Sequence, residues 1–415
     1  GQCFRTLGST VLGEECILQR GRWTNSQLDL GHIVNKALSK TSANGYIPRS
    51  ILSHCSPHIQ ETRFNGQPHD PRNAVVSNTS DAHFGNFWGK GSNGPNGNGL
   101  QDRIIEVARR EIEACSSFQG FQMIHHLGDG MGGGLGSTVA RKLVEEFGGS
   151  LVTFSMVPRY HTVSCDITWP YNAGLSMLQL DECADAVVLF HQEVLGSMKY
   201  TRKFVRFMGQ TIAGVTTSFR FPSQNNSDLK ALTASMVPMP EYRYLSLGMS
   251  SLYPKEAAER DLSSQHLVHN IFDATNWATY PGYRKDLQTA LESKFENIWH
   301  GKSNHVQPPE AEHIPPQDRP LRIPPLARNN TSLSFCPVPG YDRGPSSCSF
   351  LGNITSIRHT FDQIFGRFEA LYKRKSFLHV YKEDGVEEDV FLDAWAQLQG
   401  HRDEYEWAEE EWDEK

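Results

Sequence analysis

The chain has 415 residues, 38% hydrophobic and 21% charged, which is enough for two or three domains with a sizeable core. No apolar run approaches the ~20 residues of a membrane span, no signal-peptide pattern is present, and eight scattered cysteines without a C-x-x-C pair indicate neither a disulfide framework nor a zinc site. The net charge of −7 sits at one end: residues 403–415 carry eight acids and one lysine, and the rest balances at 39 basic against 39 acidic, which argues against nucleic acid as a main partner.

In chain order, residues 20–44 are polar and weakly patterned, and 92–99 (SNGPNGNG) are turn chemistry. Leu100, Ile104, Ala108, Ile112 and Cys115 recur at helical spacing and predict a helix over 100–115. Phe121–Ile124 reads as a short strand, Thr138–Phe147 as a helix and Leu151–Val157 as a second strand, a βαβ unit with parallel neighbours. His125 and His126 lie at the strand's end and read as loop-edge residues, since no Cys or His partner stands at metal spacing. Prolines crowd 301–345, ten of the chain's 22, so 300–328 reads as an irregular or disordered insertion. Ile357, Phe361, Ile364, Phe365, Phe368 and Leu371 share one helix face, and the acidic run at the end reads as a disordered tail.

Between the first strand and its helix lies the stretch that organises the chain, His125-His126-Leu127-Gly128-Asp129-Gly130-Met131-Gly132-Gly133-Gly134-Leu135-Gly136-Ser137. Strand, glycine loop and helix together wrap backbone N–H groups round a phosphate and aim a helix N-terminus at it. Glycine serves there because a Cβ would block close approach and because some positions would need positive φ. No Gly-Lys-Ser/Thr follows, so this is not a P-loop. The bland alternative is a flexible linker. A Rossmann-type oxidoreductase would need an acid about 20 residues on for the ribose, and Glu145 and Glu146 come too early.

Residues 128–134 resemble the G-G-G-T-G-S-G loop of the tubulin/FtsZ family, with Met131 at the threonine, Gly133 at the serine and Asp129 at the second glycine. Other family motifs follow in order. Gly1, Gln2, Cys3 and Gly8 match G-Q-C-G-N-Q-I-G, although the strand that precedes this loop in the family is missing from the sequence. Residues 46–52 resemble Y-V-P-R-A-I-L, and Gly85-Asn86-Phe87-Trp88-Gly89-Lys90-Gly91 resembles the phosphate loop G-N-N-W-A-K-G. Residues 163–180 keep Pro170-Tyr171-Asn172-Ala173 but place Trp169 at the sugar-contacting glutamate. Gln192 stands at one guanine-reading asparagine and Val205 at the other. Asp228-Leu229-Lys230-Ala231 matches the loop that serves the next subunit, with Ala231 where a hydrolytic acid would be, a β-like feature. Residues 351–357, 372–379 and 385–394 resemble β-tubulin motifs.

The resemblance implies an α/β fold: a parallel Rossmann-like nucleotide-binding domain over 1–195, a smaller α+β domain over 196–350 containing the insertion at about 300–328, C-terminal helices over 351–402 and an acidic tail over 403–415. It implies GTP or GDP as ligand, contacted by Gln2, Cys3, Gly85, Asn86, Gly128, Gly130, Met131, Gly132, Gly133, Gly134 and Gln192. It also implies Mg²⁺, although His54 and Ser56 stand at the positions of the loop's acids, Ser56 at the usual acidic ligand. The function implied is a divergent β-tubulin-like structural subunit of cytoplasmic microtubules, paired with an α-tubulin-like subunit and recruiting associated proteins or motors through its acidic tail. The second reading is a non-hydrolysing tubulin-fold adaptor that has lost nucleotide binding.

Overall fold

The computed structural model describes residues 46–54, 70–76, 84–158 apart from 116, 167–191, 228–249 apart from 238, and 347–411, with strand segments at 18–19, 22–23, 38–40, 295–303 and 331–336 and short pieces between 208 and 219. One seven-stranded sheet carries the architecture. Its strands in chain order are β1 (Gly120–His126), β2 (Ser150–Val157), β3 (Ala186–His191), β4 (Tyr244–Met249), β5 (Phe295–Ser303), β6 (Thr331–Cys336) and β7 (Ser347–Ile354). Their spatial order is β6-β5-β7-β4-β3-β2-β1. The neighbours from β1 to β4 are parallel, β7 runs antiparallel to β4 and β5, and β5 and β6 are parallel. The fold is therefore α/β with a parallel-dominated sheet. Among the described residues β1 and β6 are the edges of that sheet.

Among the described residues the main helices are α1 (Trp88–Ser92), α2 (Pro95–Glu113), α3 (Gly136–Phe147), α4 (Trp169–Cys183), α5 (Leu229–Met236), α6 (Arg358–Lys373), α7 (Leu378–Glu383) and α8 (Glu388–Glu411). The sheet is covered on both faces, which explains its near-continuous apolar strands. Leu151, Val157, Val187 and Leu189 point to the face covered by α4, α6 and α8, while Val152, Phe154, Met156, Val188 and Phe190 point to the face covered by α5. A third cluster, built from Val75, Phe84, Leu100, Ile104, Leu135 and Val139, packs α2 against α3.

Three expectations change. The turn-rich stretch 95–99 is the first turn of α2, because Pro95 at the first helical position supplies a preset φ and lacks only an N–H that would be orphaned there anyway. Residues 300–303 belong to strand β5, and 304–328 lie outside the described residues. The acidic run is not a disordered tail as far as Glu411. It is the end of α8, and Phe391, Ala394, Leu398, His401, Tyr405 and Ala408 form one buried stripe at alternating spacings of three and four. Asp403, Glu404 and Glu406 lie off the buried stripe, and Glu406 pairs with Arg358 of α6 at 3.1 Å.

A buried polar knot fixes α8 to α4. Asp181 accepts from Tyr244 Oη at 2.6 Å and from His401 Nε2 at 2.7 Å, and Gln397 donates to the same carboxylate. Burial alone would lower the His401 pKa. Its hydrogen bond to Asp181 and the Glu404 carboxylate 3.6 Å from Nδ1, with the charges of both acids, outweigh that and raise it to about 9. Burial, then the Asp181 charge, holds the Tyr244 phenol well above its ordinary value.

Because the His401 pKa is higher folded than unfolded, the stability it contributes is complete below about pH 6.5 and is lost as pH rises through about 9. Replacing His401 by Gln removes a charged partner from a buried carboxylate. It is expected to cost about 2–3 kcal/mol at pH 7 and to flatten the alkaline decline, both read from urea midpoints between pH 6 and pH 10.

Candidate nucleotide-loop site

The glycine loop leaves the end of β1, makes one turn of π-helix over Gly130–Leu135 and enters α3. Against it lies the second predicted loop, Gly85 to Trp88, followed by α1. The two backbones are pressed together. A Cβ on Gly91 would fall 1.7 Å from Gly130 O, and one on Gly134 would fall 2.1 Å from Trp88 O. None of the glycines at 128–134 has a positive φ, so the expected conformational reason does not apply to them. Gly130, Gly132, Gly133 and Gly134 are glycines because neighbouring backbone occupies the space a Cβ would take, and at Gly128 the Pro158 ring occupies it. Gly85, at φ +56°, is the one that needs left-handed geometry.

Asn172, fully buried near the start of α4, joins the two loops. Its Nδ2 donates to Asn86 O at 2.7 Å and Gly128 O at 3.0 Å, and its Oδ1 accepts from Trp88 N–H at 2.9 Å and Tyr381 Oη at 2.6 Å. Thr168 Oγ1 adds a bond to Asn86 O at 2.9 Å. His125 holds the loop from below: its ring nitrogens lie 2.8 Å from Gly132 O and 2.8 Å from Ser155 Oγ. Burial pushes its pKa down to about 4, against the hydrogen bond to Gly132, so the ring is neutral at pH 7, with Nδ1 donating to Gly132 O. Its neighbour His126 is half-buried, and its Nδ1 accepts from Gly128 N–H at 3.1 Å.

Six amides of the loop are already engaged by protein acceptors. Leu127 N–H goes to Met156 O, Gly128 to His126, Gly130 to Gly85 O, and both Gly133 and Gly134 to Asp129 O. Gly132 N–H donates to the Asp129 carboxylate at 2.5 Å, which makes Asp129 the N-cap of the turn. The carboxylate remains 40% exposed, with Oδ2 at 3.4 Å from His126 Nδ1.

Of the residues named from sequence, Gly85 and Asn86 are exposed beside the loop, and Gly128, Gly130, Gly132, Gly133 and Gly134 form it. The side chain of Met131 packs at the edge of the α2–α3 cluster, and Trp169 is buried in the main core. Gln2, Cys3, Ser56, Gln192 and Val205 lie outside the described residues. Among the described residues no group of three acids, histidines or cysteines could hold a metal ion, and no helix is long and apolar enough to cross a membrane. A cleft of about 340 Å³ lined by Trp88, Ser92, Gln101, Thr138, Arg141 and Gln179 lies nearby, and none of residues 128–134 lines it.

The strand, inward-bonded glycine turn and helix agree with what comparison with known proteins finds. Residues 9–198 match the family model described as Tubulin/FtsZ family, GTPase domain. The tubulin beta chain of Pneumocystis carinii is 32% identical over 98% of this chain and 93% of its own length. The chain belongs to the Tubulin/FtsZ family. The tubulin beta-2 chain of Emericella nidulans is 30% identical over 99% of this chain and 93% of its own length, and the tubulin beta chain of Trichophyton rubrum is 32% identical over 95% and 90%. This is a tubulin-family cytoskeletal protein. In this tubulin loop the protein's own Asp129 carboxylate holds the Gly132 amide, on the turn where the family resemblance implies a nucleotide phosphate.

Two functional features escaped sequence reasoning. Asn172 stood inside a matched motif without a role. Asp129 stood as a lost glycine, although an Asp three residues before the Gly132 amide is an N-cap signature.

Asn172→Asp keeps the shape but turns a donor into an acceptor facing two carbonyls. It is expected to cost about 3–5 kcal/mol, read as a lowered urea midpoint at pH 7. Tyr171 is fully buried with an unpaired hydroxyl, whereas Tyr381 uses its hydroxyl on Asn172. Tyr171→Phe should therefore stabilise by about 1 kcal/mol and Tyr381→Phe destabilise by about the same; equal effects in the two variants would contradict the hydrogen-bond assignment.

Proposed function

We propose that this chain is a β-tubulin-like structural subunit of a microtubule-type filament, paired with an α-tubulin-like partner. The observation that carries the reading is the full-length likeness to tubulin beta chains, 30–32% identity over 95–99% of this chain. It agrees with a nucleotide-loop scaffold in which Asn172 still ties both loops to the C-terminal helices. The acid-rich run at the end of α8, eight acids over residues 403–415, offers charge complementary to basic associated proteins or motors. Asp228 caps α5 by accepting from Ala231 N–H at 2.7 Å, and position 231 carries no carboxylate, so any acid acting at an interface would come from the partner.

A second reading is favoured by one observation. With Asp129 on the Gly132 amide, the chain is a tubulin-fold subunit or adaptor that assembles without a nucleotide of its own and does not hydrolyse one. Met131 and Trp169, each replacing a polar ligand group of the resembled family, point the same way.

Mixed with purified α-tubulin, the full chain is expected to co-elute as a heterodimer on gel filtration and to pellet with polymer. Failure to do either would remove the filament reading. Nucleotide content of the co-eluting peak separates the two versions: about one guanine nucleotide per heterodimer fits the second, held by the α subunit, and about two fit the first.

A further inference from the structure

The feature of the loop that the family resemblance does not supply is the Asp129 side chain. A helix N-terminus with free amides attracts anions, and a carboxylate in the capping position answers the same demand that a phosphate would. We propose that Asp129 is the residue that sets the nucleotide affinity of this chain, by occupying the amide of Gly132 and presenting a negative charge where a phosphate would dock.

Three observations converge. The carboxylate makes a direct hydrogen bond to Gly132 N–H at 2.5 Å, an amide in the middle of the turn. The amides of Leu127, Gly128, Gly130, Gly133 and Gly134 are turned to protein acceptors, so an incoming phosphate finds few replacements for the one Asp129 has taken. The Asp129 side chain is still 40% exposed, so its charge is within reach of an anion that approaches the loop. A phosphate would have to displace this cap and then share the turn with a like charge. The backbone of Asp129 is extended, at φ −136° and ψ 172°, a conformation that glycine and asparagine adopt equally well. The cap can therefore be removed without reshaping the loop.

The inference concerns the isolated chain and does not rest on filament assembly. Its test is titration of the purified full chain with a fluorescent N-methylanthraniloyl GTP in the presence of Mg²⁺, for wild type, Asp129→Gly and Asp129→Asn. Far-UV circular dichroism confirms that each variant is folded, and the amide exchange rate of Gly132 reports the cap. Asp129→Gly is expected to bind at least ten-fold more tightly than wild type and to unprotect the Gly132 amide. Asp129→Asn, which keeps an oxygen for the cap but drops the charge, is expected to fall between them, and it carries the test by itself should the glycine variant misfold. Wild-type binding as tight as that of the variants overturns the proposal, as does an absence of gain in both. Either result leaves the co-assembly reading standing, since that is measured with α-tubulin and without this titration.

Discussion

Four hydrogen bonds from one amide side chain hold the centre of this molecule. Asn172 is buried, uses both its donors and accepts twice, and its partners come from the second loop, the glycine loop, α1 and α7. A buried amide with every site satisfied specifies one arrangement, because each alternative strands a polar group away from water. The two loops are thereby fixed to each other and to the C-terminal helices before any ligand is considered.

The helix that carries Asn172 is anchored at both ends. Near its start, Asn172 meets Tyr381 of α7, and near its end Asp181 meets Gln397 and His401 of α8. Beside Asn172, Tyr171 packs edge-on against Phe368 and Phe391 at 5.0 Å each. The C-terminal helices are thus part of the nucleotide-loop domain's core rather than an addition to its surface. The acidic end of α8 is ordered through Glu411 because Tyr405 and Ala408 continue its buried stripe, whatever the charge on the outer face.

The glycine loop shows how one sequence feature can serve either of two ends. Glycines permit close approach, and in this structure what approaches is protein backbone from α1 and its preceding loop. The loop's amides are consumed in the same packing, and Asp129 completes it with charge. A strand–loop–helix turn therefore keeps its shape on internal contacts.

Much of this was legible in the sequence. Short apolar runs placed β1 and β2, the run after the glycines placed α3 and helical spacing placed the buried face of α6, all within a few residues, and an ordered series of short motifs identified the family. Composition also located the acids, but it misjudged their state, because charge density was read without the 3-4 stripe beneath it. What the sequence could not decide was which side chains close on which backbone groups. Asn172 reaches residues 44 to 209 positions away, and Asp181 reaches His401 across 220. Such contacts leave no periodic trace along the chain, since they arise only when the sheet brings distant elements together. Local chemistry determined the elements and the glycine turn; three-dimensional packing decided that the turn's amides point inward and that an aspartate, rather than open space, lies at its N-terminus.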